Sequence, residues 1–315
     1  MRKYLALVLS VLFILCFSAA AYAVHETEAP DEAVVAKGPT KITLGGKILV
    51  RGWLFDDVSG VNGRNVVPDG DAGSTSFYTT NVNLMVDAKV SDNLRGMIEL
   101  ETASGGSANS GLFIWGDSAR GYDSKPNADI LIRQAWIQYT GSGLLGIPSG
   151  VKIGHMPISL GEKQFLNNER FGDDAIVVWV DPMKELHILA GTVKLNEGNI
   201  AESFDDLNGY VLLATYMWDK DNTVGINGLW AHSDGNCPST DATVNVDELN
   251  FYNVGLHANG KIVGLTYGAE VDFQFGEVDD HVDFGDVDPR GWAAFLKLGY
   301  NLDIVNLRGS FAYGS

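Results

Sequence analysis

The densest group of chemically active side chains is an acidic segment near residue 280. Carboxylate oxygens of this kind are ligands for Ca²⁺, but the spacing is not that of an EF-hand loop. The group consists of Asp279, Asp280, His281, Asp283, Asp286 and Asp288. We interpret it as solvated loop charge and predict no metal site.

Known catalytic motifs are absent from the sequence. The six histidines are scattered, without an H-E-x-x-H or a paired Cys-His spacing for zinc. There is no C-x-x-C-H for covalent haem and no G-x-S-x-G for a nucleophilic serine. The run Gly105-Gly106-Ser107 precedes no helical pattern, which a phosphate-binding loop needs. We therefore predict neither an enzyme nor a cofactor.

Polar side chains instead alternate with apolar ones along strand-like segments. After a hairpin turn predicted at Asn259-Gly260, odd positions from Val263 to Phe275 are apolar or small, and even positions from Gly264 to Gln274 are small, polar or charged. A strand points successive side chains to opposite faces, and Asn-Gly favours a two-residue turn. The segment has about a dozen residues, which fits a tilted membrane-spanning strand of roughly 9–11 residues.

The same alternation recurs along the chain in about thirteen predicted strands, joined by connections that are short and long in turn. Tight turns at one end and long polar loops at the other are typical of an outer-membrane barrel. A two-sheet Greek-key sandwich would instead have long crossovers at both ends. We predict an all-β fold, a transmembrane antiparallel β-barrel built as an up-and-down meander with short periplasmic turns and long extracellular loops.

Two features predict that this barrel is incomplete. Single-chain bacterial barrels have even strand numbers, and the sequence stops in mid-pattern at Tyr313-Gly314-Ser315 without a terminal aromatic residue. The hypothesis is that residues 41–315 form a barrel domain truncated at its C-terminus.

Aromatic residues near strand ends are predicted to lie in the interfacial girdles of the barrel. They are Trp53, Tyr139, Trp179, Trp218, Trp230 and Tyr300.

Residues 1–23 have the pattern of a secretory signal peptide. Arg2 and Lys3 precede the apolar run Leu5–Phe17, and Ala21-Tyr22-Ala23 is a cleavage site; an uncleaved anchor is the alternative. Residues 24–40 are an acidic, flexible lead-in. Cys237 is the only cysteine after residue 23, so the mature chain cannot form an intramolecular disulfide. Together these features predict export to the bacterial outer membrane.

The formal net charge of −18 excludes nucleic acid as an expected partner, because phosphate binding needs a basic patch. No apolar run after the N-terminus is long enough for a spanning helix.

Two segments resemble gram-negative porins of the broad phosphate-selective and alginate-export group. The run from Ile132 to Tyr139, IRQAWIQY, resembles the R-x-A-x-x-x-Y/F strand of those families. The run from Val151 to Gly161, VKIGHMPISLG, is similar to their strand entering the third loop, where Gln is commoner than His155.

This resemblance implies a monomeric or homotrimeric diffusion channel with its third loop, here residues 157–174, folded inward as a constriction. An ordinary solvated surface loop is the alternative. The residues implied to set selectivity are Lys163, Asn167, Asn168, Glu169, Arg170, Asp173 and Asp174. The lysine- and arginine-rich ladder of a phosphate-selective pore is missing from the pattern.

A porin acts through the charge and width of its lumen. The predicted pore-lining residues are Asn81, Asn83, Asp87, Lys89, Arg95, Glu99, Glu101, Glu270, Asp272 and Gln274. Acid outnumbers base in this set, which predicts a preference for cations or neutral solutes. The strand Ile130 to Thr140 is apolar on both faces, so its pattern does not assign Arg133 to either.

The sequence thus predicts an outer-membrane porin for passive diffusion of small hydrophilic solutes or ions, with membrane lipid around it. Two alternatives stay open. The first is a scaffold barrel that sheathes a periplasmic partner such as a cytochrome in an electron conduit. The second is a secreted soluble β-domain for glycan binding or adhesion.

Overall fold

The computed structural model describes residues 33–34, 40–55, 75–104, 113–114, 128–143, 146–197, 206–235, 237–238, 245–280, 287–302 and 305–315. These residues form one antiparallel β-sheet and no helix. Within the same ranges, no helix is long and apolar enough to cross a membrane. The signal peptide and most of the lead-in lie outside the described residues and remain predictions.

Sixteen strands make up the sheet, of which β1, β5 and β12 contain two residues each. The other thirteen contain 8 to 18 residues, which confirms the predicted number. In chain order the strands are β1 (Ala33–Val34), β2 (Lys41–Phe55), β3 (Thr75–Lys89), β4 (Leu94–Ser104), β5 (Phe113–Ile114), β6 (Ala128–Gly141), β7 (Ser149–Met156), β8 (Asp173–Met183), β9 (Leu186–Asn196), β10 (Leu207–Asp219), β11 (Asn222–Ser233), β12 (Cys237–Pro238), β13 (Asn245–Ile262), β14 (Leu265–Asp280), β15 (Arg290–Asn301) and β16 (Asn306–Gly314).

Strand order follows chain order, as the predicted meander requires. Each long strand pairs with the next long strand, while β5 pairs with β3 and β12 pairs with β13 beside the main path. Among the described residues no pairing joins β16 to β2, so the sheet is open. The predicted antiparallel meander is confirmed.

Short connections lie at one end of the sheet and long ones at the other. The hairpins β8–β9 and β10–β11 turn through residues 184–185 and 220–221. Residues 157–172 form a long connection that is described in full. Because consecutive strands are antiparallel, this alternation sets all the long loops at the same end.

The turn of hairpin β13–β14 lies at Val263-Gly264, four residues beyond the predicted Asn259-Gly260. Both turn residues have positive φ, 48° and 84°, as a type I′ turn requires. Gly260 lies inside β13 opposite Tyr267, where a Cβ would overlap the Asn222 side chain of the neighbouring strand. The glycine therefore serves close packing between strands and not chain reversal.

One face of the sheet is apolar and solvent-exposed across the long strands; we call it the outer face. Register places Ile153, Ile176 and Tyr210 on this face of β7, β8 and β10. Large side chains there stay exposed, for example Leu212 and Leu256 at 55% each. Isolated exposed apolar residues are ordinary, but a contiguous apolar surface of this extent needs a covering medium or partner.

Aromatic rings of the outer face stack in register near the long-loop end. Tyr210, Trp230, Tyr252 and Phe275 follow one another across β10, β11, β13 and β14, with ring centroids 4.9, 6.1 and 5.3 Å apart.

Four of the six predicted girdle residues have outer-face positions in their strands, and two do not. Trp53 donates its Nε1–H to Thr79 Oγ1 at 2.9 Å on the opposite, inner face. Trp179 alternates with the outward Val178 and Val180, so it also points inward. The girdle prediction is wrong for these two residues, because nearness to a strand end does not determine which face a side chain occupies.

The inner face curves around the connection 157–172, hereafter the inward loop. Its Glu162 forms an ion pair with Lys297 on β15. The loop leaves β7 at Met156, and a flat sheet would place β15 seven strand spacings away, about 34 Å at roughly 4.8 Å per strand. Six extended residues from Met156 to Glu162 reach only about 20 Å, so the sheet must bend around the loop.

The apolar core lies between this loop and the inner face of strands β6 to β11. Its buried members are Trp136, Met156, Ile158, Leu160, Ala175, Val177, Val193, Val211 and Leu229. Because part of the inner face is itself apolar, covering it with Ile158 and Leu160 removes that surface from water, and this holds the loop inside.

Candidate functional site

Polar and charged side chains concentrate on the inner face of the sheet. All ten predicted pore-lining residues alternate with outward apolar neighbours and therefore share this face. Five are buried rather than open to solvent: Asn81, Asn83, Glu99, Glu270 and Asp272. Buried polar groups of this kind need hydrogen-bond partners, and the structure groups them in two clusters.

The first cluster surrounds two glutamates on β4. Glu101 accepts a hydrogen bond from Asn81 Nδ2 at 2.8 Å, and Glu99 accepts one from Asn83 Nδ2 at 3.0 Å. Arg133 lies 3.7 Å from each glutamate and counters both charges.

Arg133 reaches this position because of a β-bulge. Glu99 pairs with Gln134 and Leu100 with Ile132, so Arg133 is an extra residue without a partner in the register. A bulge leaves two successive residues opposite one and changes the facing of the strand. This explains why β6 lacks a simple alternation and why its pattern could not assign Arg133.

Two cationic side chains lie over the indole ring of Trp136, beside the first cluster on the inner face. Lys152 Nζ lies 4.0 Å from the ring centroid and Arg95 Cζ lies 5.7 Å from it. The indole Nε1–H donates to Gln134 Oε1 at 3.0 Å, which fixes the ring. Arg95 also donates through Nε to both oxygens of Asp87, at 2.9 and 3.1 Å.

The second cluster lies on β11, β13 and β14. Asn253 Nδ2 donates to Asp272 Oδ1 at 3.0 Å, and Gln274 Nε2 donates to Asn253 Oδ1 at 3.2 Å. His257 Nδ1 and Asn227 Oδ1 are 3.0 Å apart. Asn253 thus supplies a hydrogen bond to Asp272, a residue that is only 2% exposed.

Glu270 belongs to this cluster and holds the tip of the inward loop. Its Oε2 accepts the backbone N–H of Glu162 at 2.8 Å and that of Gln164 at 3.3 Å. Gly161, at φ 54°, packs so closely that a Cβ there would overlap Glu270 Oε1. The tip of the loop therefore packs against β14 through backbone groups and through Gly161, where a side chain would not fit.

Turns within the loop keep it compact. The backbone N–H of Lys163 donates to Leu160 O at 2.9 Å, and that of Asn168 donates to Ile158 O at 2.8 Å. Phe165 stacks on Phe251 of β13 with centroids 6.0 Å apart. These contacts hold the loop against the inner face of the sheet.

The seven residues implied to set selectivity are divided between the tip side and the base of the loop. Lys163 and Glu169 form an exposed ion pair at 2.6 Å. Asn168 donates to Gly172 O and to Asp173 Oδ1, both at 2.8 Å, which ties the base together. Asp174 pairs with His155 at 3.0 Å on the outer-face side of β7 and β8.

Asn167 and Arg170 are exposed, with the Arg170 guanidinium 5.4 Å from the Phe171 ring. The role implied for Asp174 in lining a constriction does not fit its position, because β8 directs its side chain away from the inner face.

The Glu169 carboxyl has a pKa below its ordinary value. The hydrogen bond from Lys163 is the larger cause, and the Ser159 hydroxyl adds a second bond at 3.0 Å. A carboxyl whose folded-state pKa is lowered stabilises the fold above its ordinary pKa range, and this stabilisation is lost as the pH falls through the lowered value.

The alternation pattern missed several residues of the site. Glu162 and Phe165 act from a loop, where no period exists, and Arg133 is hidden by the bulge. Lys152 and Asn227 do follow the inner-face alternation of β7 and β11, so the period-two signal could have identified them.

Among the described strand residues, the inner face carries more basic than acidic side chains, contrary to the premise of the predicted cation preference. Its basic residues are Lys41, Lys47, Arg51, Lys89, Arg95, Arg133, Lys152, Lys297 and Arg308. Its acids on these strands are Asp87, Glu99, Glu101, Asp173, Asp181, Glu270 and Asp272. The ten predicted pore-lining residues contain more acid than base because they come only from β3, β4 and β14.

Half of the acidic group near residue 280, namely His281, Asp283 and Asp286, lies outside the described residues. In the part of the chain that is described, no group of three or more His, Cys, Asp or Glu side chains is arranged to hold a metal ion.

No protein-family model and no curated protein matches the sequence. Solved structures do align with it, at low similarity. The outer membrane channel DcaP of Acinetobacter baumannii is 12% identical, with 89% of this chain and 92% of that chain covered and a TM-score of 0.42. Salmonella typhi OmpF in complex with daunomycin is 11% identical, at 89% and 92% coverage and a TM-score of 0.40.

The trimer form of OmpT, an outer membrane protein of Vibrio cholerae, is 12% identical, at 88% and 89% coverage and a TM-score of 0.39. All three scores lie below 0.5, so the conclusions about this chain rest on its own residues and contacts.

Proposed function

We propose that this protein is a bacterial outer-membrane channel of the porin type, which passes small hydrophilic solutes or ions by passive diffusion. One observation carries the proposal: the meander has an apolar outer face exposed along its long strands and a charged inner face with a loop folded across it. An apolar exterior suits lipid, and a hydrated, charged interior suits solute passage.

The charge distribution on the inner face favours weak selectivity between anions and cations. Many of its charges are compensated locally, as Glu99 and Glu101 are by Arg133 and Asp87 is by Arg95. Compensated charges leave a modest net field in the lumen. The inward loop narrows the path, because it spans from β7 to the wall formed by β14 and β15.

Single-channel recording of the detergent-purified protein in a planar bilayer tests the proposal. Discrete conductance steps of ion-conducting size are expected. Silence from protein that is folded and heat-modifiable on a gel would contradict a channel and support the scaffold barrel, which should then co-purify with haem. Extraction without detergent would contradict the membrane location and support the soluble β-domain.

Signal-peptide cleavage and the oligomeric state are measured on the same detergent-purified protein. N-terminal sequencing of the mature protein should begin at Val24 if the signal peptide is cleaved after Ala23. Light scattering after size-exclusion chromatography measures whether the chain forms the homotrimer that the resemblance implies.

A further inference from the structure

Four cations and one amide form a lateral row on the inner face near the short turns. Register aligns Lys41 with Lys89, Lys89 with Arg95, Arg95 with Gln138, and Gln138 with Lys152. These positions cross β2, β3, β4, β6 and β7, about 4.8 Å apart from strand to strand. We call these five residues the cation row.

Two members of this row, Arg95 and Lys89, bind carboxylates. Asp87 binds the Arg95 guanidinium through both oxygens, and Asp92, in the β3–β4 turn, accepts from Lys89 Nζ at 2.8 Å. On the far side of the row, β8 places the apolar Val177 beside Lys152.

Lys152 is the member of the row that approaches the indole ring of Trp136 most closely. Its ammonium lies over the Trp136 ring, and among the described residues no carboxylate is paired with it. The ring attracts the cation through its π face, but an aromatic face does not neutralise the charge and leaves N–H donors for another acceptor. The neighbouring Arg95 adds a second positive charge on the same indole.

We propose that the cation row is an oxyanion-binding site at the short-turn end of the inner face, with Lys152 as its principal contact. Its ligands are small solutes that carry a carboxylate or phosphate group, whose oxygens match ammonium, guanidinium and amide donors. Gln138, which lies between Arg95 and Lys152, supplies the neutral donor. This inference rests on the proposed channel and names the class of solute that the channel retains.

The test compares Lys152→Met with two control variants of the full-length protein. Lys152→Arg keeps the charge, and Lys220→Met removes an exposed lysine from the β10–β11 turn at the same end of the sheet. The anion-to-cation permeability ratio is measured from reversal potentials in a KCl gradient. Block of the current by added inorganic phosphate is measured in the same bilayers.

We expect Lys152→Met to lower the permeability ratio and weaken the phosphate block by about threefold, the size of one partly exposed charge contact. Lys152→Arg and Lys220→Met should both stay close to wild type. Equal behaviour of Lys152→Met and Lys220→Met would overturn the site, as would wild-type protein that conducts but is indifferent to phosphate.

Calorimetric titration of phosphate into the detergent-folded protein separates this inference from the channel proposal. Phosphate binding that is lost in Lys152→Met supports the row even if no conductance is found, and then only the channel proposal fails. The absence of phosphate binding in wild-type protein overturns the row. Should Lys152→Met fold poorly, Lys152→Gln gives the same comparison with a hydrogen-bonding neutral side chain.

Discussion

At the scale of single residues, the contact between the inward loop and the wall depends on Gly161. Its φ of 54° suits glycine, and a side chain there would overlap Glu270 Oε1. Gly146 also has a positive φ, 76°, but nothing lies within 4 Å of the position that its Cβ would take. An alanine at Gly146 would therefore introduce backbone strain alone, whereas an alanine at Gly161 would introduce the same strain and also disrupt the contact with Glu270.

We predict that Gly161→Ala releases the loop tip, whereas Gly146→Ala costs only the left-handed backbone strain of about 1–2 kcal/mol. Trypsin cleavage after the exposed Lys163 is the measurement, because a detached tip is a better protease substrate than a docked one. Faster cleavage in Gly161→Ala alone is expected. Equal rates in both variants would show that the wall contact does not hold the tip.

Arg133 balances the charge of two glutamates on the inner face. It faces Glu99 and Glu101, whose side chains are only 8% and 14% exposed. Removing one partner of a buried ion pair leaves an uncompensated charge. The pair Lys89–Asp92, with side chains 52% and 95% exposed, serves as a solvated reference.

A double-mutant cycle with Arg133→Met and Glu99→Gln should give a coupling free energy of at least about 1 kcal/mol. The matching cycle with Lys89→Met and Asp92→Asn should give less than about 0.5 kcal/mol, because solvent screens that pair. Both are measured by urea unfolding of vesicle-folded protein. Similar values in the two cycles would contradict a compensating role for Arg133.

At the scale of elements, the sequence predicted the strands well because a period of two is a local property. The alternation in β14 assigned Glu270 and Asp272 to the inner face, as the register confirms. It failed at Arg133, where one inserted residue changes the facing of β6. It also could not find the loop contacts, because Glu162 and Glu270 are 108 residues apart.

The turn of hairpin β13–β14 shows the limit of local turn signals. Asn259-Gly260 has the favoured sequence, yet the chain reverses at Val263-Gly264 with Val263 93% exposed. The position of Asn222 explains the extended pairing: it accepts from the Lys261 backbone N–H at 3.0 Å and from the Tyr267 hydroxyl at 3.0 Å. Tertiary hydrogen bonds thus outweigh a local turn preference.

We predict that Val263→Asn stabilises the protein by about 1 kcal/mol, since a β-branched residue is strained at positive φ and asparagine tolerates it. Asn259→Val should change the stability little, because Asn259 lies in an extended strand opposite Gly268. Unfolding free energies in urea are the measurement. A large loss for Asn259→Val with no gain for Val263→Asn would place the turn at residues 259–260.

At the scale of the whole molecule, the two faces of the sheet determine what surrounds it. The outer face exposes apolar side chains along its full width, and the inner face holds the charges and the inward loop. These faces exist because, within each of the thirteen long strands, alternate residues keep to the same face apart from local bulges, and the pairing aligns these faces from strand to strand. The environment of the outer face is therefore the most direct test of the proposed location.

We predict that Leu212→Arg, on the outer face of β10, lowers the unfolding free energy in lipid vesicles by about 2–4 kcal/mol. Thr215→Arg on the same strand is the control, because Thr215 faces inward opposite His187 and Gly225. An arginine there meets a hydrated interior and should cost less. Equal costs for the two variants, or a neutral Leu212→Arg, would mean that the outer face does not contact hydrocarbon.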